Sequence, residues 1–365
     1  MSTPKGLGWP DQVAGRDRDE DEQGLGWPGS LKEQAGVEDT DPVVEGESPL
    51  VREALSAAVS RETTATPSAP SRSADTPIAR AAEAALSVKG RRGEQPWPRP
   101  VGGCRVVTIA NQKGGVGKTT TAVNLAAALA IHGSRVLVID LDPQGNASTA
   151  LGVEHRAEVP SVYNALVDET PLAEIAVQVE EQQNLWCVPA TIDLAGAEIE
   201  LVSLVARESR LKRALDAFDR TAVDYVLVDC PPSLGLLTVN ALVAADEVMI
   251  PIQCEYYALE GLGQLLSNVD LIKAHLNPTL SVSTILLTMY DARTRLASQV
   301  ADEVRAHFGE TVLRSVIPRS VRVSEAPSYG QSVMTYDPGS SGALAYTAAA
   351  REIAFRGGED GGTTR

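Results

Sequence analysis

Arg105-Val106-Val107-Thr108-Ile109-Ala110-Asn111-Gln112-Lys113-Gly114-Gly115-Val116-Gly117-Lys118-Thr119-Thr120 starts as an apolar β-type run, passes through a glycine-rich turn and enters an Ala/Leu-rich helical stretch reaching about Ile131. Strand, glycine turn and helix in that order form the setting a phosphate-binding loop requires. Main-chain N–H groups of Gly114, Gly115, Val116 and Gly117, together with the helix N-terminus, then face an anion. Lys118 is placed to reach the β- and γ-phosphates, the Thr119 hydroxyl to ligand Mg2+, and Thr120 to extend the cradle toward the α-phosphate. The strict pattern is broken at one place: Gln112 stands where its first glycine belongs, and a second lysine, Lys113, follows.

Outward from the loop, strand and helix patterns alternate. Apolar runs over Val136–Ile139, Leu185–Val188, Tyr225–Val228, Val248–Ile252, Val282–Thr288 and Val312–Ile317 read as strands. Helices are expected at about Asp193–Val205, Leu234–Val243, Leu259–Ala274, Leu296–His307 and Gly342–Ile353. Continuous apolar strands between helices predict an α/β fold, a doubly wound, mainly parallel sheet covered on both faces. Hydrophobic residues make up 43% of the 365 and aromatics 4%, so the core is aliphatic.

Two acidic strand ends stand beside the loop in this reading. Val138-Ile139-Asp140-Leu141-Asp142 puts two carboxylates at i and i+2, on one side of a strand tip, where ligands of open α/β sheets bind. Tyr225-Val226-Leu227-Val228-Asp229 is an apolar strand ending in Asp, the pattern whose carboxylate supports Mg2+. Cys104, Cys187, Cys230 and Cys254 have no C-x-x-C spacing and read as reduced thiols, without a zinc site or a disulfide framework.

Residues 1–102 differ in kind. They are rich in Pro, Ser, Thr, Gly, Glu and Asp, which predicts a disordered tail. Gly6-Leu7-Gly8-Trp9-Pro10 recurs at Gly24-Leu25-Gly26-Trp27-Pro28. Ser48-Pro49 and Thr76-Pro77 each open an Ala-rich stretch in the manner of a capped helix. These are candidate short docking helices for a polar or scaffold partner, unless the start codon has been assigned too far upstream. Residues 103–355 form the expected domain, and 356–365 a frayed end. The net charge of −16 argues against nucleic acid only at first sight, because residues 1–50 alone carry four basic against twelve acidic residues, 4 − 12 = −8. No signal peptide or membrane-spanning run is evident.

The Gln112-Lys113 variant of the loop resembles the deviant phosphate loop of the MinD/ParA class of P-loop ATPases. Four further stretches sharpen the likeness to the ParA/Soj partition ATPases: Asp142–Asn146, Pro251–Gly261, Thr288–Thr294 and Ile317–Pro327. The resemblance covers about residues 103–355. It implies an ATP-dependent sandwich homodimer in which Lys113 reaches the partner's phosphates, Asp142 positions the attacking water and Asp140 supports the metal. It also implies that the dimer binds double-stranded DNA without sequence preference, through arginines in the segments holding Arg293 and Arg322, with Arg295 and Arg319 nearby. A ParB-like partner would stimulate slow hydrolysis of ATP to ADP and phosphate, and release the dimer from the nucleoid of a cytoplasmic protein. The loop Pro318–Ser320 resembles the one that meets the adenine.

Rival readings differ in what they need. A ParA-like ATPase moving another cargo shares every motif. An iron–sulfur carrier of the same fold would need paired bridging cysteines, and a tyrosine kinase a Tyr-rich tail. A membrane-cycling septum-site ATPase would need a basic amphipathic C-terminus, whereas residues 349–365 end in Gly, Glu and Asp.

Overall fold

The burial of the strands dictates the architecture. Every residue of β2 (Val136–Asp140) and β5 (Tyr225–Asp229) is buried, which only a sheet covered on both faces permits. The structure, a computed structural model, describes residues 96–180, 182–255 and 258–358. Its sheet has eight strands: β1 (Arg105–Ile109), β2, β3 (Val177–Gln178), β4 (Leu185–Val188), β5, β6 (Glu247–Gln253), β7 (Ser281–Tyr290) and β8 (Val312–Pro318). Their order is β3-β4-β2-β5-β1-β6-β7-β8. All neighbours pair in parallel except β3, a two-residue edge strand antiparallel to β4. The mainly parallel, doubly wound α/β sheet expected from the alternating pattern is thus the observed one.

Among the described residues the helices are α1 (Lys118–Ile131), α2 (Asn146–Ala150), α3 (Val162–Val167), α4 (Leu172–Ile175), α5 (Leu194–Ser203) and α6 (Arg210–Ala217). They continue with α7 (Leu236–Ala244), α8 (Ala258–His275), α9 (Arg295–Phe308), α10 (Val321–Glu325), α11 (Val333–Tyr336) and α12 (Ser341–Gly358). Two buried clusters cover the two faces of the sheet. One centres on α1 and α12, the other on α5, α7, α8 and α9. Alanines at 126, 127 and 128 and at 349, 350 and 354 are fully buried, and their small side chains let these helices lie close to the sheet and to each other.

Packing starts ahead of residue 103. Trp97 is buried and stacks on His132 with centroids 3.8 Å apart. Its N–H donates to the His132 carbonyl, and Val101 N–H donates to the Gly357 carbonyl. At the other end α12 runs past residue 355 to Gly358. The repeated tail motifs at 6–28, the proline-led segments at 48–52 and 76–80, and the last residues of the expected frayed end all lie outside the described residues.

Parallel register decides where the chemistry sits. Asp140 pairs with Asp229, and Asp229 also with Ile109, so three strand ends and the glycine loop meet at one edge. That edge holds the carboxyl ends of β1, β2 and β5, where the sheet order reverses direction between β5 and β6 around β1.

Candidate functional site

The loop after β1 is held by its neighbours before any ligand is considered. The Asn111 amide donates to the Pro251 carbonyl at 2.8 Å, and its Oδ1 receives the Lys113 N–H at 3.0 Å. On the other side the Thr288 hydroxyl donates to the Val116 carbonyl at 2.8 Å. The ends of β6 and β7 therefore fix both limbs of the turn. Gly115 and Gly117 take φ of +74° and +90°, which side chains with a Cβ adopt only under strain. Gly117 caps α1, whose N-terminus carries no acidic residue to compete for an anion.

A cavity of about 600 Å3 opens over this helix start. Gly114, Gly115, Gly117, Lys118, Thr119 and Thr120 form its floor, and Asp142, Gln144 and Asn146 one wall. The far wall is Met289, Val323, Ala326, Pro327 and Gln331. Pro318 and Ser320, expected at the base end from the resemblance, do not line it. That wall comes from Met289 at the end of β7 and from α10 and the segment after it, a few residues beyond Ser320. Met289 sits at the end of β7 with φ +49°, a left-handed conformation uncommon for a non-glycine residue and often found at ligand sites.

The carboxylates divide the work unequally. Asp140 accepts from Asp142 N–H at 3.1 Å, Ser148 N–H at 2.8 Å and Ser148 Oγ at 2.7 Å. Its oxygens are committed to shaping the loop that carries Asp142, even though burial pushes its carboxyl up to about 6. Asp229 is the opposite case. It is fully buried and both its oxygens lack a hydrogen-bond partner. Burial, then the adjacent Asp140 charge, drives its pKa well above the usual carboxylate range, while Thr119 and Lys118 draw it down. An orphaned buried carboxylate beside a threonine hydroxyl is a cost that a cation relieves. Asp229 and Thr119 thus fit a Mg2+ that keeps several waters and takes phosphate oxygens for the rest. Among the described residues no group of three His, Cys, Asp or Glu side chains could hold a metal by itself.

Lys118 is buried and its ammonium donates to the Lys113 carbonyl at 3.3 Å. Burial lowers its pKa, with Asp229 the main opposing influence. Lys113 does not line the cavity; its ammonium forms an ion pair with Glu255. Cys187 and Cys230 are fully buried thiols driven far upward by burial, and Cys104 and Cys254 are pushed up to about 11. None is poised as a nucleophile.

The four arginines come from two adjoining strand ends. Tyr290 of β7 pairs with Pro318 of β8, and Arg319 N–H donates to the Tyr290 carbonyl. The segment with Arg293 and Arg295, leading into α9, therefore runs beside the one with Arg319 and Arg322, leading into α10. Arg293 is fully solvated and forked onto Asp291, holding that carboxyl down at about 2. Arg322 pairs with Glu325 at 3.0 Å and Asp337 at 3.4 Å. Arg295 and Arg319 are exposed, and neither pairs with a carboxylate among the described residues.

Known proteins match this chain over the region that carries the site. The family model described as an AAA domain matches residues 104–282. The sporulation initiation inhibitor protein Soj of Bacillus subtilis is 55% identical over 253 residues, 69% of this chain and 99% of that protein. The chromosome partitioning protein ParA of Myxococcus xanthus is 51% identical over 265 residues, 73% of this chain and 92% of that protein. The chain belongs to the Soj/ParA family of P-loop ATPases. A solved structure described as cobyrinic acid a,c-diamide synthase from Mycobacterium smegmatis, with bound ATP analogue and magnesium, is 38% identical with a TM-score of 0.60. It spans 72% of this chain and all of that one. As a Soj/ParA chain, this protein adds Asn111, Thr288, Ser148 and Met289 to the residues that matter. The sequence placed Thr288 and Met289 in a family-like stretch but gave none of the four a role: Asn111 and Thr288 act through contacts more than a hundred residues away, Ser148 through a fold of the loop back onto Asp140, and Met289 through a backbone angle.

Proposed function

We propose that the chain is an ATP-hydrolysing chromosome-partition ATPase that cycles between a monomer and an ATP-bound sandwich dimer on DNA. The observation that carries the reading is the assembled site itself: a glycine cradle, the buried Lys118, and the orphaned Asp229 facing Thr119 at one strand edge. The relatives' names, chromosome partitioning in several cases, supply the cargo. In the proposed cycle the cradle N–H groups and Lys118 bind the β- and γ-phosphates, which restore the charge that burial makes costly for Lys118. Thr119 and Asp229 would hold Mg2+, which when bound would neutralise charge developing on the phosphates. Asp142, at the cavity wall, orients the attacking water, and Asp140 keeps Asp142 in place through the main chain. Lys113 of each subunit serves the other's phosphates.

The arginine loops at the β8 edge are the proposed DNA surface. Arg295 and Arg319 are available at once, whereas Arg293 and Arg322 exchange carboxylates for phosphates on binding. A ParB-like partner raises turnover and returns the protein from the nucleoid to the cytoplasm. The test is retention of a random-sequence duplex in the presence of Mg-ATP or Mg-ADP. Retention with ATP alone, falling steeply as salt rises, is the expected result. Equal retention in both nucleotides, or none, would refute the proposal.

A further inference from the structure

We propose that Glu255 is a positioning residue for Lys113: in the lone subunit its carboxylate parks the Lys113 ammonium, and this contact must open before the lysine can serve a second subunit. The inference rests on the dimer reading above and names the residue that regulates it. Lys113 Nζ pairs with Glu255 Oε1, the two side chains being 38% and 36% exposed. Glu255 follows the end of β6, and its N–H donates back to the Gln253 carbonyl at 2.9 Å. The same junction is closed a second time by Asn111, which bonds the Pro251 carbonyl and the Lys113 N–H. Backbone and side chain of Lys113 are thus both tied to the end of β6, while its carbonyl accepts from Lys118.

Two consequences follow from that geometry. The parked ammonium lies outside the cavity, so a subunit's own nucleotide is denied the second cation. The pair is also half-exposed, and such pairs are weak. A multiply charged phosphate arriving from a partner outcompetes a single carboxylate. The contact is strong enough to hold the lysine in the monomer and weak enough to be exchanged on assembly.

The experiment uses the full chain with Mg2+ and a non-hydrolysable ATP analogue, comparing wild type, Glu255→Gln, Lys113→Gln and the double variant by sedimentation over a concentration series. A parallel reading is amine acetylation of Lys113 in the nucleotide-free chain, measured by mass spectrometry. Glu255→Gln is expected to raise Lys113 labelling and to lower the half-dimerisation concentration about threefold to tenfold, two weak pairs being released per dimer. In the Lys113→Gln background the same substitution should have no effect on dimerisation, an outcome that a merely structural Glu255 would not produce. Glu255→Asp should restore part of the wild-type behaviour. Unchanged or weaker assembly in Glu255→Gln, or an equal shift without Lys113, would overturn the proposal while leaving the dimer reading intact. A wild-type chain that fails to dimerise with the analogue would overturn both.

Discussion

Asp229 is the residue on which the site's energetics turn. Its carboxylate is buried without a donor, and its pKa lies far above the usual value, so ionising it costs the nucleotide-free fold stability. A raised carboxylate costs nothing below the unfolded pKa of about 4, and the penalty grows as pH rises toward the folded value. Asp229→Asn should therefore melt higher than wild type at neutral pH, with the gain vanishing near about pH 4. Added Mg-ATP should stabilise the wild type more than the variant; thermal melts across pH, with and without Mg-ATP, measure both effects. Lys118→Ala should abolish nucleotide binding by calorimetry, because it removes the buried cation at the cavity floor. Its lowered pKa in the free chain adds a sign: proton uptake should accompany phosphate binding near and above that pKa.

At the level of elements, the segment 96–102 belongs to the fold. Trp97 fills a buried place over the end of α1, and Val101 bonds the end of α12. Trp97→Ala should cost about 3 kcal/mol, as buried aromatic truncations do, read as a lower melting temperature with nucleotide affinity retained. Removing the chain through residue 102 should lower that temperature relative to removal through residue 95, because the first cut takes Trp97 and Val101 away. Much of the element pattern was legible beforehand, because all-apolar runs such as Val136–Ile139 and Tyr225–Val228 have no other stable setting than a covered sheet. Helix α6 was not, although it is amphipathic. Its buried Arg210, neutralised by Glu169 at 2.7 Å, sits where a periodic reading wants an apolar residue. The phosphate loop was readable since its chemistry is local. The far wall of the cavity was not, because Met289, Val323 and Gln331 meet only through the β7–β8 register and the turn after α10.

At the scale of the whole molecule, charge and assembly decide function. The net charge of −16 does not describe the β7–β8 edge, where the segments holding Arg293, Arg295, Arg319 and Arg322 adjoin to form the proposed DNA surface. Arg322→Glu should weaken duplex retention at least ~10-fold and flatten its salt dependence, since each phosphate contact contributes to that slope. Nucleotide-dependent association should be untouched, as measured by light scattering. The central claim is that this ATPase works as an ATP-closed pair of subunits. Its most direct test is sedimentation velocity of Asp142→Ala, in which hydrolysis should fall by about 10² or more once the water-orienting group is lost. With Mg-ATP the variant should sediment as a stable dimer, and with Mg-ADP as a monomer; a monomer in both nucleotides would contradict the account.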